Sequence, residues 1–74
     1  MLTAEAVLDK EFLEIRCQLI EIAASLDRLD RAAEFQQRSF DDPRLRQLYE
    51  SLRLLADRDR SNRSEELLLL FSDK

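Results

Sequence analysis

The side chains that could do chemistry in this 74-residue chain are sixteen carboxylates and twelve basic groups, with one cysteine and no histidine. Paired carboxylates can carry acid–base catalysis when they are buried near one another. Glu11, Glu14 and Glu21 lie on one predicted helix and could point at a partner, but nothing in their pattern shows that they are buried as a pair. The chain also has no glycine, which excludes glycine-rich phosphate loops. We therefore expect no catalytic residue and a protein that is not an enzyme.

The sequence also offers few ligands for a metal or cofactor site. Di-iron sites of helical bundles combine glutamates with Glu-x-x-His pairs, and structural zinc needs several Cys or His ligands. With no histidine and a single cysteine, neither set can be assembled. A magnesium or calcium site made of carboxylates alone stays open, although no loop of the required kind is visible. We expect no metal and no cofactor.

Arginine makes up ten of the twelve basic residues and is concentrated in the second half of the chain. Residues 41–64 hold six arginines against five acids, while the whole chain has a net charge of −4. Because the planar guanidinium suits bidentate contacts, these arginines could meet a phosphate-bearing or acidic partner. A solvated face with weak ion pairs is the simpler interpretation. The candidate anion-contacting residues are Arg44, Arg46, Arg53, Arg58, Arg60 and Arg63.

Cys17 has no intrachain partner for a disulfide, and we interpret it as a small, half-buried apolar residue. Four acids within the first fifteen residues argue against a secretory signal. The longest apolar run, 67–71, is five residues, whereas a membrane span needs ~20. We expect a cytoplasmic protein without membrane contact.

Apolar residues from Leu8 to Ala33 recur at spacings of four and three, which is typical of a long helix. Thr3 suits its N-cap, and the pattern predicts a first helix over residues 4–38.

Asp42 and Pro43 suit the N-cap and first position of a second helix over 43–58, whose apolar stripe leaves Leu54 on its far side. Asn62 and Glu65 have the spacing of a capping box and start a third helix over 63–71. We predict one all-α domain over residues 1–74, without a sheet.

Length argues that the first helix needs a partner. A helix of about 35 residues is ~52 Å long, whereas a compact chain of this size has a radius of gyration of ~11 Å. The apolar arc in the middle of this helix spans roughly 220°, well beyond the ~100° stripe of an ordinary surface helix. We predict a long helical hairpin plus a short third helix, pairing as an antiparallel homodimeric four-helix-like bundle. The predicted interface residues are Leu8, Phe12, Ile15, Leu19, Ile20, Ile22, Leu26 and Leu29.

The run Leu67, Leu68, Leu69, Leu70 and Phe71 surrounds a short helix, so a single flat contact cannot bury all five side chains. Either these residues plug the end of a bundle, or they stay partly exposed as a docking site. The sequence thus predicts a non-enzymatic protein–protein interaction or dimerisation module. The alternative is a nucleic-acid-associated accessory or regulatory protein that uses the arginines of residues 44–63, although the net charge argues against nucleic acid. A third hypothesis makes the apolar arc a groove for a helix of another protein.

Overall fold

The computed structural model describes residues 2–36 and 40–72, and in these residues it contains three helices and no strand. The helices are α1 (Ala4–Phe35), α2 (Pro43–Ala56) and α3 (Arg63–Leu70). The prediction of an all-helical protein is confirmed. The chain divides into two compact units, residues 1–39 and 40–74, and the single domain that the sequence predicts stays a prediction. The hairpin and the dimeric pairing stay predictions, and each unit is described by itself.

The helix α1 begins where its N-cap residue predicts. Thr3 has extended backbone angles, and its Oγ1 accepts a hydrogen bond from the backbone N–H of Ala6 at 3.1 Å. Glu5 places a negative charge in the first turn, which the helix dipole favours. The helix ends at Phe35, and the backbone N–H of the C-cap residue Gln36 still reaches the Ala32 carbonyl at 3.1 Å. The predicted end at residue 38 lies outside the described residues.

The helix α2 begins at Pro43 with Asp42 as its N-cap, as the sequence predicts. The Asp42 Oδ1 accepts a hydrogen bond from the backbone N–H of Arg44 at 2.8 Å. The helix ends at Ala56, two residues before the predicted end, because Asp57 adopts extended backbone angles. The Asp57 carboxylate also accepts the backbone N–H of Asp59 at 3.1 Å, which is a local alternative to continuing the helix.

The helix α3 begins at Arg63, as the sequence predicts. The prediction of a capping box is wrong for the side chain of Asn62. Asn62 is the N-cap, yet its side chain makes no capping hydrogen bond, because its backbone angles (φ −126°, ψ 52°) depart from the extended region that capping requires. The helix ends at Leu70, one residue before the predicted end. Phe71 is the C-cap residue, and its N–H donates to the Leu67 carbonyl at 3.1 Å.

Neither unit contains a fully buried apolar side chain among its described residues. The buried position is Ser51, at 8% exposure, on the side of α2 that contacts α3. Its Oγ donates to the Gln47 carbonyl at 2.8 Å, while the Gln47 side chain donates to the Leu70 carbonyl at 3.5 Å. Leu54, which the sequence places on the far side, is half-buried because it follows Ser51 by three residues on that same side. The contact with α3 is thus centred beside the leucine stripe of α2, which comprises Leu45, Leu48, Leu52 and Leu55.

Candidate interaction surfaces

The first candidate surface is the seam of α1, the row of apolar residues that the sequence predicts as the interface. It runs along a continuous helix of 32 residues, which is ~48 Å long. Its N-terminal two thirds is exposed, with Phe12 at 57% and Leu19 at 54%. Leu26 and Leu29 are half-buried. The seam comprises Leu8, Phe12, Ile15, Leu19, Ile22, Leu26, Leu29 and Ala33.

A second apolar row lies on α1 about 100° from the seam. Leu13 is 62% exposed and Ile20, one of the predicted interface residues, is 57% exposed. Residues seven apart return to nearly the same face of a helix, so these two side chains share one side. The exposed apolar surface of α1 is therefore too wide for contact with one neighbouring helix, as the sequence predicts. Cys17 lies beyond this row and is an exposed free thiol, whereas the sequence predicts a half-buried residue.

The leucines of α3 are divided between two faces. Leu67 and Leu70 are half-buried together with Arg63 and Glu66, at the three- and four-residue spacing of a single helix face. Leu68 is 75% exposed and Leu69 is 65% exposed, and Phe71 is also exposed. One half of the leucine run packs within the second unit, and the other half forms a small apolar patch. Whether that patch plugs a bundle or docks a partner stays a prediction.

Four of the six candidate anion-contacting arginines already contact acceptors in their own unit. Arg44 makes a bidentate contact with Asp42, with its Nε at 3.0 Å from Oδ1 and an Nη at 2.9 Å from Oδ2. Arg46 pairs with Asp41. These contacts flank the start of α2. They offset much of the positive charge that the sequence suggests at this end of the helix.

The other contacts tie the turn after α2 to α3. Arg60 bridges two acids, with its Nε at 3.2 Å from the Asp57 carboxylate and an Nη on Glu66. An Nη of Arg63 donates to the Asp57 backbone carbonyl at 2.8 Å, and the Arg63 Nε is buried without a hydrogen-bond partner among the described residues. Arg53 and Arg58 are exposed. The six arginines thus do not form one free cationic face.

Two carboxyl groups have shifted pKa values, and both shifts come from these local contacts. The hydrogen bonds from the Arg44 side chain and backbone lower the pKa of Asp42 from 3.8 to about 2. The same pair raises the pKa of Arg44. Hydrogen bonds from the Asp59 backbone N–H and the Arg60 side chain lower the pKa of Asp57. Each shift keeps the carboxylate ionised, which is the opposite of what a general acid needs.

The described residues bring together no group of three or more Cys, Asp or Glu side chains suited to hold a metal ion. Nor is any described helix long and apolar enough to cross a membrane. The surfaces with distinctive chemistry are therefore the apolar rows of α1 and the patch on α3. Comparisons with protein-family models, curated proteins and solved structures give no match.

Proposed function

We propose that this protein is a non-enzymatic protein–protein interaction module that forms a homodimer through α1. The observation that carries the proposal is the exposed seam: its five residues from Leu8 to Ile22 are each between 40% and 57% exposed. A continuous apolar row of this length along one helix is the feature that helices use to associate. A second copy supplies the same row, which a two-fold contact requires.

The size of the exposed surface supports self-association. Full burial of one large apolar side chain contributes about 1.5–3 kcal/mol. Covering the exposed half of five seam residues therefore contributes on the order of 5 kcal/mol per chain. Association itself costs an estimated ~4–15 kcal/mol, so a contact between the two seams alone gives a weak dimer. The second apolar row, with Leu13 and Ile20, needs a further neighbour for a stable assembly.

We propose that α2 is this neighbour. Leu48, Tyr49 and Leu55 are each about 40% exposed, so each keeps apolar surface that α3 does not cover. With α2 folded back on α1 in each chain, two chains form an antiparallel four-helix-like bundle. This arrangement covers both apolar rows of α1 and the leucine stripe of α2. In the cell such a module would act as an adaptor, a regulator or a subunit of a small assembly.

The experiment is the solution mass of the full chain and of Leu19→Glu, measured by size-exclusion chromatography with light scattering under reducing conditions. The wild type should be a dimer. Leu19→Glu places two charges at the centre of the seam contact and should give a monomer or an unfolded chain. Lys10→Glu is the matched control, since it adds the same side chain to the outer face of α1 and should leave the dimer intact. An unchanged mass and an unchanged melting curve for Leu19→Glu would refute the proposal.

The nucleic-acid alternative receives less support from the arginine contacts. Four of its six arginines bind acceptors within residues 40–72, and the chain has a net charge of −4. Binding through phosphates would weaken steeply as salt increases. Absence of binding to a generic duplex at low salt would remove this alternative. Binding that disappears at moderate salt would restore it.

A further inference from the structure

We infer that the two α1 helices of the proposed dimer pair antiparallel in one particular register, with the two-fold axis between Ile20 and Glu21. The inference rests on the proposed function, because it specifies the geometry of that self-contact. In heptad notation, the seam residues alternate between the a and d positions. The a positions are Phe12, Leu19, Leu26 and Ala33, and the d positions are Leu8, Ile15, Ile22 and Leu29.

In this register every seam residue faces an apolar seam residue of the second copy. In antiparallel pairs each a position faces a d position, and the sum of the two residue numbers is constant along the contact. The four distinct layers, each occurring twice, are Leu8 with Ala33, Phe12 with Leu29, Ile15 with Leu26, and Leu19 with Ile22. All eight residues lie within the single continuous helix Ala4–Phe35, so no break interrupts the contact.

A shift by one heptad loses part of this contact. Moving the second copy by seven residues in one direction sets Leu29 opposite Glu5, and moving it in the other direction sets Phe12 opposite Gln36 and leaves Leu8 without a facing seam residue. Leu8 is among the most exposed residues of the seam, at 57%, so such a shift leaves a large apolar side chain in water. The full-overlap register is therefore favoured by apolar burial.

Parallel pairing is disfavoured by the residue types at each position. Parallel coiled coils with leucine at a and isoleucine at d shift from dimers toward tetramers. The seam has this arrangement, with Leu19 and Leu26 at a and Ile15 and Ile22 at d. Parallel pairing also sets Glu5, at an a position, against its own copy. Antiparallel pairing separates these two carboxylates by nearly the length of the helix. The pattern thus favours the antiparallel arrangement for a two-chain contact.

The register has a charge signature that the alternatives lack. The e positions are Asp9, Arg16, Ala23 and Asp30, and in an antiparallel pair they face one another beside the seam, on the side of the second apolar row. The full-overlap register sets Asp9 against Asp30 of the second copy, twice in each dimer. The heptad-shifted register instead pairs Asp30 with Arg16, and parallel pairing sets Asp9 against Ala4 and Asp30 against Ser25. The free energy of an exposed like-charge contact is about a third of that gained by burying a leucine side chain. The apolar layers therefore determine the register.

The first test is a charge-reversal cycle in the full chain at low salt. Asp9→Lys and Asp30→Lys each turn two repulsive contacts into attractive ones, and each should lower the dimer Kd about fivefold. The double variant sets lysine against lysine, so its Kd should return near that of the wild type instead of falling about 25-fold. Glu14→Lys with Asp30→Lys is the control pair, because Glu14 lies on the outer face and its effect should be additive. Additive behaviour of the Asp9 and Asp30 variants would overturn the register.

The second test measures distances between spin labels on two f positions, at Lys10→Cys and Arg31→Cys in a Cys17→Ser background. Both positions are 10.5 residues from the proposed two-fold axis, so each label pair should be separated along the axis by about 32 Å. A heptad shift would give unequal axial separations of about 42 and 21 Å, and parallel pairing would give distances below about 25 Å at both positions. Either of these sets of distances, measured in a dimer, would overturn the proposed register but not the proposed function. A monomeric mass would overturn the proposed function and the register together.

Discussion

The side-chain amide of Gln47 donates a hydrogen bond to the backbone carbonyl of Leu70, 23 positions further along the chain, at 3.5 Å. This contact joins the first half of α2 to the last residue of α3. It satisfies one of the carbonyls that the end of α3 leaves without an intrahelical partner. The buried Ser51 follows Gln47 by one turn, so the close approach of α3 depends on a small side chain at that position.

Enlarging the buried residue should loosen the second unit. Ser51→Leu adds volume where α3 approaches α2, and we expect a loss of about 1–3 kcal/mol in the free energy of unfolding. Ser64→Leu makes the same change at an exposed position of α3 and should have little effect. Thermal and urea unfolding followed by circular dichroism measure both. Equal stability of the two variants would contradict the packing described for Ser51.

Removing the N-cap of α1 should fray its first turn. Thr3→Ala deletes the hydroxyl that accepts the Ala6 N–H, and loss of such a cap costs about 0.5–2 kcal/mol. Thr3→Ser keeps the acceptor and should retain most of the stability. The measurement is amide hydrogen exchange at residues 5–7, where Thr3→Ala should lower protection. Equal protection in the alanine and serine variants would show that the hydroxyl does not cap the helix.

Acid should weaken the start of α2 through Asp42. Its pKa is lowered from 3.8 to about 2 in the folded chain, so the ionised carboxylate stabilises the fold above pH 3.8. This contribution is lost as the pH falls through about 2, because the folded state then also binds the proton. Asp42→Asn keeps a capping oxygen without the charge. Its melting temperature should be below that of the wild type at pH 7, and the difference should shrink between pH 3.8 and about 2. A constant difference would contradict the assigned role of the charge.

The two faces of α3 should respond differently to charge. Leu67→Glu introduces a carboxylate on the half-buried face that packs within the second unit, and we expect a loss of about 2 kcal/mol or more. Leu68→Glu, its neighbour on the 75% exposed face, should change stability by less than about 0.5 kcal/mol. Chemical unfolding of the two variants provides the comparison. If Leu68→Glu unfolds the chain instead, the outer face is covered in solution and the plug hypothesis is favoured.

Local signals in the sequence predict most of the secondary structure. The spacing from Leu8 to Ala33, the cap at Thr3 and the Asp42–Pro43 pair fix the type and the start of α1 and α2. Helix ends are predicted less well, because they depend on backbone angles of single residues. Asp57 stops α2 by turning extended and accepting the Asp59 N–H, and nothing in its sequence neighbourhood distinguishes it from an ordinary last-turn residue.

Tertiary contacts are harder to predict, because a leucine stripe shows which residues are apolar but not which side a neighbour covers. The sequence favours the Leu45–Leu55 stripe of α2, whereas the buried position is Ser51 beside it. Ser51 is a small residue that shares a helix face with Gln47 and Leu54. This is the sequence signal that could have indicated this side. The bridging role of Arg60 between Asp57 and Glu66 depends on the path of the turn, which no local pattern specifies.

Self-association through the seam of α1 underlies the proposed function. The most direct measurement is the solution mass of the full chain at micromolar concentration, by light scattering after size-exclusion chromatography with reductant present. We predict twice the chain mass of 8.8 kDa, with dissociation on dilution. A mass of 8.8 kDa that is unchanged over the concentration range would contradict self-association.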